Sequence, residues 1–307
     1  MTHPSPSATR VNFACPMCKQ PVLAVSGGWN CPTCERTFTS GLHRSPNFLI
    51  GSGFTEDHDY DRDLHEEKTA KVTVDGYLLP LLRRTFPHQQ PSAIRVLDVG
   101  CGVGMYVDLL CEAGYDAWGI DAGRHRPKLW ERRKHPERLV LADGEMLPFP
   151  DASFDFLFCA GVIEHVGCNG DARHPSPGYQ QVRLRFAREN VRVVRTGGLL
   201  NYTCPNRHFP FDLWHRNTED NPFRFHWPWD PFLFTLGDFR RLFVNQCECS
   251  GVTALPIRGY WGFLRLNKTP WQRFGCRLAK VWFETLGSWP LVRGTGLNPW
   301  LSAKVKK

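Results

Sequence analysis

The chain reads as an α/β protein: a largely parallel sheet with helices on both faces, preceded by a small cysteine-bearing unit. Three features predict it. The apolar run Val96-Leu-Asp-Val opens into the glycine turn Gly100-Cys-Gly-Val-Gly104; strand-like and helix-like segments alternate from about residue 92 to 205; and two Cys-x-x-Cys pairs stand near the N-terminus. Val96 to Val99 is short, apolar and β-prone, as expected of a strand buried on both faces. The glycines after it let the backbone turn tightly and approach a ligand that a Cβ would repel. Met105 to Glu112 reads as a helix, and Ala117 to Ile120 as a second strand ending in Asp121, seventeen residues after Gly104. A carboxylate at that edge is positioned to accept both hydroxyls of a ribose, so the pattern predicts a nucleotide-like cofactor. The dinucleotide fingerprint G-x-G-x-x-G fails here, because Met105 stands where its third glycine belongs.

The downstream residues extend the pattern. Leu139-Val-Leu-Ala-Asp143-Gly144 suits a third strand and its turn, Phe154 to Cys159 a fourth strand, and Ala160-Gly-Val-Ile-Glu-His165 the turn after it. Arg183 to Arg195 has helical spacing, with Gly197-Gly198 expected to stop it and Leu199 to Thr203 to form strand five. With Asp98 two residues before Gly100, the segment from roughly 92 to 205 resembles class I S-adenosylmethionine-dependent methyltransferases, of the type 11-like kind. The resemblance implies a Rossmann-like, seven-stranded methyltransferase sheet. It also implies cofactor contacts from Asp98, Gly100, Cys101, Gly102, Asp121, Ala122, Asp143, Gly144 and Cys159. Among these Asp143 would bond the adenine amino group, and the turn at 160–165 is where the methyl group would meet its acceptor.

Cys15-Pro-Met-Cys18 and Cys31-Pro-Thr-Cys34 are separated by twelve residues, a zinc-ribbon spacing in which two knuckles aim four thiolates at one point. Gly27-Gly28 suits a hairpin tip between them. A unit of about fifty residues needs such a staple, and four sulfurs complete a closed, structural Zn(2+) site. Disulfides or a redox dithiol are the alternatives. The other eight cysteines suit free thiols in a reducing compartment. The expected division is a ribbon at 1–50, a linker and helix at 51–90, and a methyltransferase domain at 91–307 with insertions at about 206–234 and 259–297. This layout is similar to that of bacterial 23S ribosomal RNA guanine methyltransferases, which implies an RNA partner. Against it, Lys19 is the only basic residue between Cys15 and Cys34.

Thr55 to Asp63 reads as an acidic, polar linker and Lys68 to Arg84 as a helix; Tyr60 or Tyr77 would either reach the cofactor or pack. After strand five, Pro205 to His215 and Asn221 to Pro231 crowd aromatics, histidines and prolines into an expected substrate lid. Thr235 to Asn245 reads as a helix, Val252 to Arg258 as strand six, and Trp300 to Val305 as the closing strand. Within the second insertion, Trp271 to Leu286 reads as a helix. Its Trp271, Phe274, Leu278, Trp282 and Phe283 are expected to form a buried face, with peripheral membrane contact as the alternative.

Methyl transfer needs a general base only if the acceptor carries a proton. The candidates are His165, His208, His215 and His226, with His165 first. Glu164-His165 also resembles a pair in relatives that add a third acid to bind a divalent metal; Gly161 stands there, so no metal is expected at this pair. The first residues contain no apolar run and no stretch approaches a membrane span, so a cytoplasmic enzyme is expected. Its 42% hydrophobic content suits a large domain plus a small one, and its net charge of +8 favours anionic partners without naming one. The expected reaction is O-methylation of a small-molecule, glycan or lipid-linked acceptor. The alternatives are ribosomal or transfer RNA base methylation, and a non-catalytic cofactor-binding or adaptor role.

Overall fold

A computed structural model describes residues 12–41, 45–51, 67, 69–168, 174–212, 214–215, 224–260 and 269–307. The expected linker at Thr55 to Asp63, with Tyr60, lies outside the described residues, as does Lys68. The N-terminal unit is an antiparallel meander of β1 (Leu23–Val25), β2 (Gly28–Cys31) and β3 (Arg36–Ser40), continued by β4 (Pro46–Asn47). Gly27, at φ 80°, makes the tip. Helix α1 (Leu79–Thr85) leads into β5 (Arg95–Val99), α2 (Met105–Glu112), β6 (Asp116–Asp121), α3 (Arg126–Trp130) and β7 (Leu139–Leu141). Then come β8 (Phe154–Ala160), α4 (Tyr179–Val193) and the long β9 (Val194–Pro205). A small ribbon, β10 (Phe211–Asp212) with β11 (Arg224–Phe225), stands apart from the main sheet. Helix α5 (Leu236–Phe239), β12 (Gly251–Ala254), α6 (Pro270–Glu284) and β13 (Trp300–Lys306) finish the chain.

The seven-stranded expectation is corrected: among the described residues the main sheet has eleven strands, in the order β1-β2-β3-β4-β7-β6-β5-β8-β9-β13-β12. β5, β6, β7, β8 and β9 run parallel, while β13 is antiparallel to both β9 and β12. The additional strands are those of the N-terminal unit, which joins through β4 pairing in parallel with β7 at Asn47 and Leu141. Phe48 N–H also donates to Leu141 O at 2.8 Å. An open edge at β7 would expose unpaired backbone groups, and β4 covers it. Aromatic packing continues across the join: Phe13 lies 4.8 Å from Phe48, 5.2 Å from Trp29 and 5.8 Å from Trp118 between ring centroids. Cys15 and Cys31 are buried in the same cluster as Leu97 and Phe154. The cysteine unit is therefore an extension of the sheet, not a bead on a linker.

Two further boundaries differ from expectation, and one expected helix keeps its bounds but changes its form. Helix α4 ends at Val193, before the glycines, and β9 begins at once. Gly197, at φ 76°, and Gly198 sit where the β8–β9 register shifts between Phe154 and Phe156, so they make a bulge inside the strand. The helix over Thr235 to Asn245 opens on a reciprocal capping box between Thr235 and Asp238 and then widens over Arg240 to Asn245. Strand β12 stops at Ala254, short of Arg258. In α6 the expected buried face is corrected: Phe283 is buried and Trp282 partly so, but Trp271, Phe274 and Leu278 are exposed.

Candidate active site and cysteine centre

The turn after β5 is closed by its own backbone. Gly100 N–H and Cys101 N–H both donate to Ile120 O, at 2.8 and 2.9 Å, which clamps the turn to β6. Gly100, Gly102 and Gly104 have φ of 77°, 52° and 78°, values that side-chain-bearing residues adopt only under strain. A Cβ on Gly100 would stand 2.3 Å from Val162, and one on Gly104 2.5 Å from Leu139. Trp130, at the end of α3, donates its indole N–H to Gly102 O at 2.9 Å from below.

Asp121 lies at the C-terminal end of β6 beside this turn. Its Oδ2 accepts from Gly102 N–H at 2.9 Å and its Oδ1 from Gly123 N–H at 2.8 Å, while Arg126 Nε is 3.7 Å away. Both oxygens keep further acceptor capacity, because an ionised carboxylate offers about four sites. A group with two vicinal hydroxyls could donate to that pair of acceptor oxygens. Asp98 is buried at the end of β5, Ala122 half-buried after Asp121, and Gly144 buried against Phe186. Asp143 is half-buried after β7, where its Oδ1 accepts from Glu145 N–H at 2.8 Å. Burial pushes the Cys101 and Cys159 thiols well above their ordinary value, which keeps both neutral. Tyr77 belongs to the core: it bonds Asn201 at 3.0 Å and Ser302 at 2.6 Å, and burial pushes its hydroxyl up to about 12.

Beyond β8 the fold brings His165 together with His215, across an insertion. Their Nε2 atoms are 3.1 Å apart, and His215 Nδ1 is 2.8 Å from Asp212 Oδ2. Asp212 is fully buried and accepts from Trp214 N–H at 3.0 Å and His215 N–H at 3.1 Å, with Arg224 at 3.5 Å across the β10–β11 pairing. Burial alone would raise the Asp212 carboxyl, but the His215 hydrogen bond and charge and the two backbone donors hold it below the usual carboxylate range. When His215 is neutral, the ionised Asp212 assigns its ring proton to Nδ1, so His215 Nε2 accepts from His165 Nε2–H. Phe232 walls both rings, at 5.3 and 4.8 Å between centroids.

Glu164, next to His165, is buried, and its Oε2 has no hydrogen-bond partner among the described residues. Burial pushes its carboxyl up to about 7, against a smaller opposing pull from His215. Arg183 of α4 staples the histidine turn to the segment after β11, donating to Glu164 O at 3.0 Å, Val166 O at 3.1 Å, Pro231 O at 2.8 Å and Phe232 O at 3.1 Å. His208 is exposed, and His226 contacts the carbonyl of Trp227 at 3.3 Å. Neither joins the His165 group among the contacts of the described residues. Sequence reasoning missed Asp212, Arg183 and Arg224; the one available signal was the Asp212–His215 spacing inside an aromatic-rich insertion.

The four thiols of Cys15, Cys18, Cys31 and Cys34 lie within 4.8 Å of one another, and none forms a disulfide. Cys18 and Cys31 sulfurs are 3.5 Å apart, and Cys34 N–H donates to Cys31 Sγ at 3.4 Å. Four sulfurs converging on one point fit a tetrahedral soft cation. The ligand atoms of Glu164, His165 and His215 also lie within 4.8 Å of one another.

Residues 97–201, from β5 into β9, match the family model described as a methyltransferase domain. That segment is about a third of the chain. The cysteine centre, Asp212 and His215 lie outside it. The chain is 33% identical over 191 residues to phthiotriol/phenolphthiotriol dimycocerosates methyltransferase 1 of Mycobacterium ulcerans (strain Agy99), covering 61% of this chain and 64% of that protein. It is also 33% identical over 149 residues to glycine N-methyltransferase of Rattus norvegicus, covering 44% and 46%. The matches thus span less than two thirds of these curated relatives' lengths. A solved S-adenosylmethionine-dependent methyltransferase from Archaeoglobus fulgidus superposes with a TM-score of 0.47 at 17% identity, over 81% of this chain and 100% of that one.

Proposed function

We propose that this protein transfers a methyl group from S-adenosylmethionine to a hydroxyl of a small-molecule or lipid acceptor. The methyltransferase domain and its relatives support the class of reaction, and the dimycocerosates methyltransferase relatives support a lipid-type acceptor. The observation that carries the oxygen acceptor is the hydrogen-bonded series Asp212–His215–His165 at the turn after β8. Bound S-adenosylmethionine supplies an electrophilic methyl carbon. Asp121 would hold the ribose hydroxyls, Asp143 the adenine amino group, and the Gly100–Gly104 turn the remainder by close backbone approach.

The chain's own work is to orient the acceptor and take its proton. The His165–His215 pair takes the acceptor's proton at His165 Nδ1 as the proton already between the rings passes from His165 Nε2 to His215 Nε2, and ionised Asp212 stabilises the resulting His215 imidazolium while fixing its tautomer. Phe232 and the lid exclude water from that pair. Cys15, Cys18, Cys31 and Cys34 would hold a structural Zn(2+), which fastens the N-terminal strands against β7.

The test is transfer of labelled methyl from S-adenosylmethionine into fractionated extract. Label in a hydroxyl-bearing lipid or small molecule, lost with His165→Gln, is the expected result; label confined to RNA would contradict it. A second arrangement is favoured by the unpartnered buried oxygen of Glu164: a divalent cation on Glu164, His165 and His215. One metal equivalent per chain supports the proton-relay assignment, whereas a second equivalent lost with His215→Ala supports the cation.

A further inference from the structure

Helix α6 carries an apolar stripe that the fold does not cover. Trp271, Phe274, Leu278 and Val281 recur at three- and four-residue spacing, so they share one side of the helix. They are 83%, 55%, 56% and 61% exposed. The helix is fixed to the body through its last turn. Phe283 is buried, Trp282 Nε1–H donates to Asn298 Oδ1 at 3.1 Å, and Glu284 Oε1 accepts from Gly259 N–H at 3.1 Å. The segment that follows continues the exposure, with Trp289 at 55% and Leu291 at 90%.

Charge runs along the adjoining side. Arg273, Arg277 and Lys280, also at helical spacing, are exposed, and the only acid in α6 is Glu284, already engaged by Gly259. A row of aromatic and aliphatic side chains beside a row of cations matches the layered chemistry of an anionic lipid surface: phosphates outside, hydrocarbon beneath. A second copy of the chain fits less well, because an isologous contact through this stripe brings like-charged arginines together. No described helix is long and apolar enough to cross a membrane, so the contact is peripheral.

We propose that α6 lies in the interface of an anionic phospholipid membrane. Trp271, Phe274, Leu278 and Val281 enter below the head groups while Arg273 and Arg277 engage the phosphates. This docking goes beyond methyl transfer, since it needs neither cofactor nor acceptor.

The test is sedimentation of the full, metal-loaded chain with vesicles of phosphatidylcholine alone and of phosphatidylcholine mixed with phosphatidylglycerol, with tryptophan emission recorded in parallel. The wild type is expected to sediment with the mixed vesicles, with blue-shifted emission, and to be released by salt. Trp271→Glu/Phe274→Glu/Leu278→Glu should abolish binding, and Arg273→Glu/Arg277→Glu should weaken it by roughly tenfold or more. All these side chains are solvent-facing, so S-adenosylhomocysteine affinity and circular dichroism should match the wild type; Trp271→Ala, the mildest change, guards against misfolding of the triple variant. Equal retention on both vesicle types, wild-type binding by the variants, or concentration-dependent self-association abolished by the triple variant would each overturn the proposal.

Discussion

The glycine turn and the histidine group lie in one α/β fold but are built differently. Every residue of the turn falls within a short stretch of sequence, and its carboxylate, Asp121, is fixed by backbone donors from that turn and the one after it. The histidine group instead joins two segments fifty residues apart, and depends on Arg183, Arg224 and the β10–β11 ribbon to hold them in register. Local sites are stiffened by their own backbone, whereas assembled sites rest on side-chain networks with several points of failure. The cysteine centre is of the first kind, two tight knuckles, yet it also fastens one edge of the sheet.

The largest effect that sharpens this contrast is expected at the cysteines. Cys31→Ser removes a proposed zinc ligand whose side chain is buried with the main core, so metal analysis should find less than one zinc per chain and thermal melting a destabilisation on the order of 5 kcal/mol. A variant that keeps its metal and melts as the wild type would reduce the centre to a packing feature. Next is His165→Gln. Turnover with the acceptor found in extract should fall by about 10² to 10⁴, while S-adenosylhomocysteine affinity holds, because proton removal is lost and the cofactor turn is untouched. Equal loss of both would mean that the two sites are not independent. Asp212→Asn should cost about tenfold to a hundredfold in turnover by releasing the His215 tautomer, and the pH profile should shift with it.

The smallest effect is one of pH. The Glu164 carboxyl is raised from its ordinary 4.5 to about 7 by burial. Between those values the folded chain binds more protons than the unfolded one, so the stability from neutral Glu164 declines as pH rises through the window and is gone above about 7. Glu164→Gln stays neutral throughout. Its melting temperature should therefore gain on the wild type from about pH 5 to pH 8, and a pH-independent difference would place a compensating cation beside Glu164.

These differences also explain what the sequence disclosed. β5, α2, β6 and β8 were legible to within a residue or so because apolar runs and glycines write such elements locally. The four cysteines were legible for the same reason. The parallel docking of β4 on β7 was not, since two residues, Pro46 and Asn47, carry no strand signal of their own. The bulge at Gly197 and Gly198 read as a helix stop because glycine marks both. The partnership of His165 with Asp212 and His215 depends on how an insertion folds back, which no periodicity records. The stripe on α6 has the spacing of a core face, and only burial distinguishes a core face from a surface one.

The central claim is that the turn after β5 and Asp121 bind the cofactor of methyl transfer. Calorimetric titration of S-adenosylhomocysteine into the wild type and Asp121→Ala tests it most directly. Saturable binding by the wild type, weakened by roughly tenfold or more in the variant as the charge-assisted hydroxyl bonds are lost, is the predicted result. Equal affinity in the two proteins, or no binding by a folded, metal-loaded wild type, would contradict it.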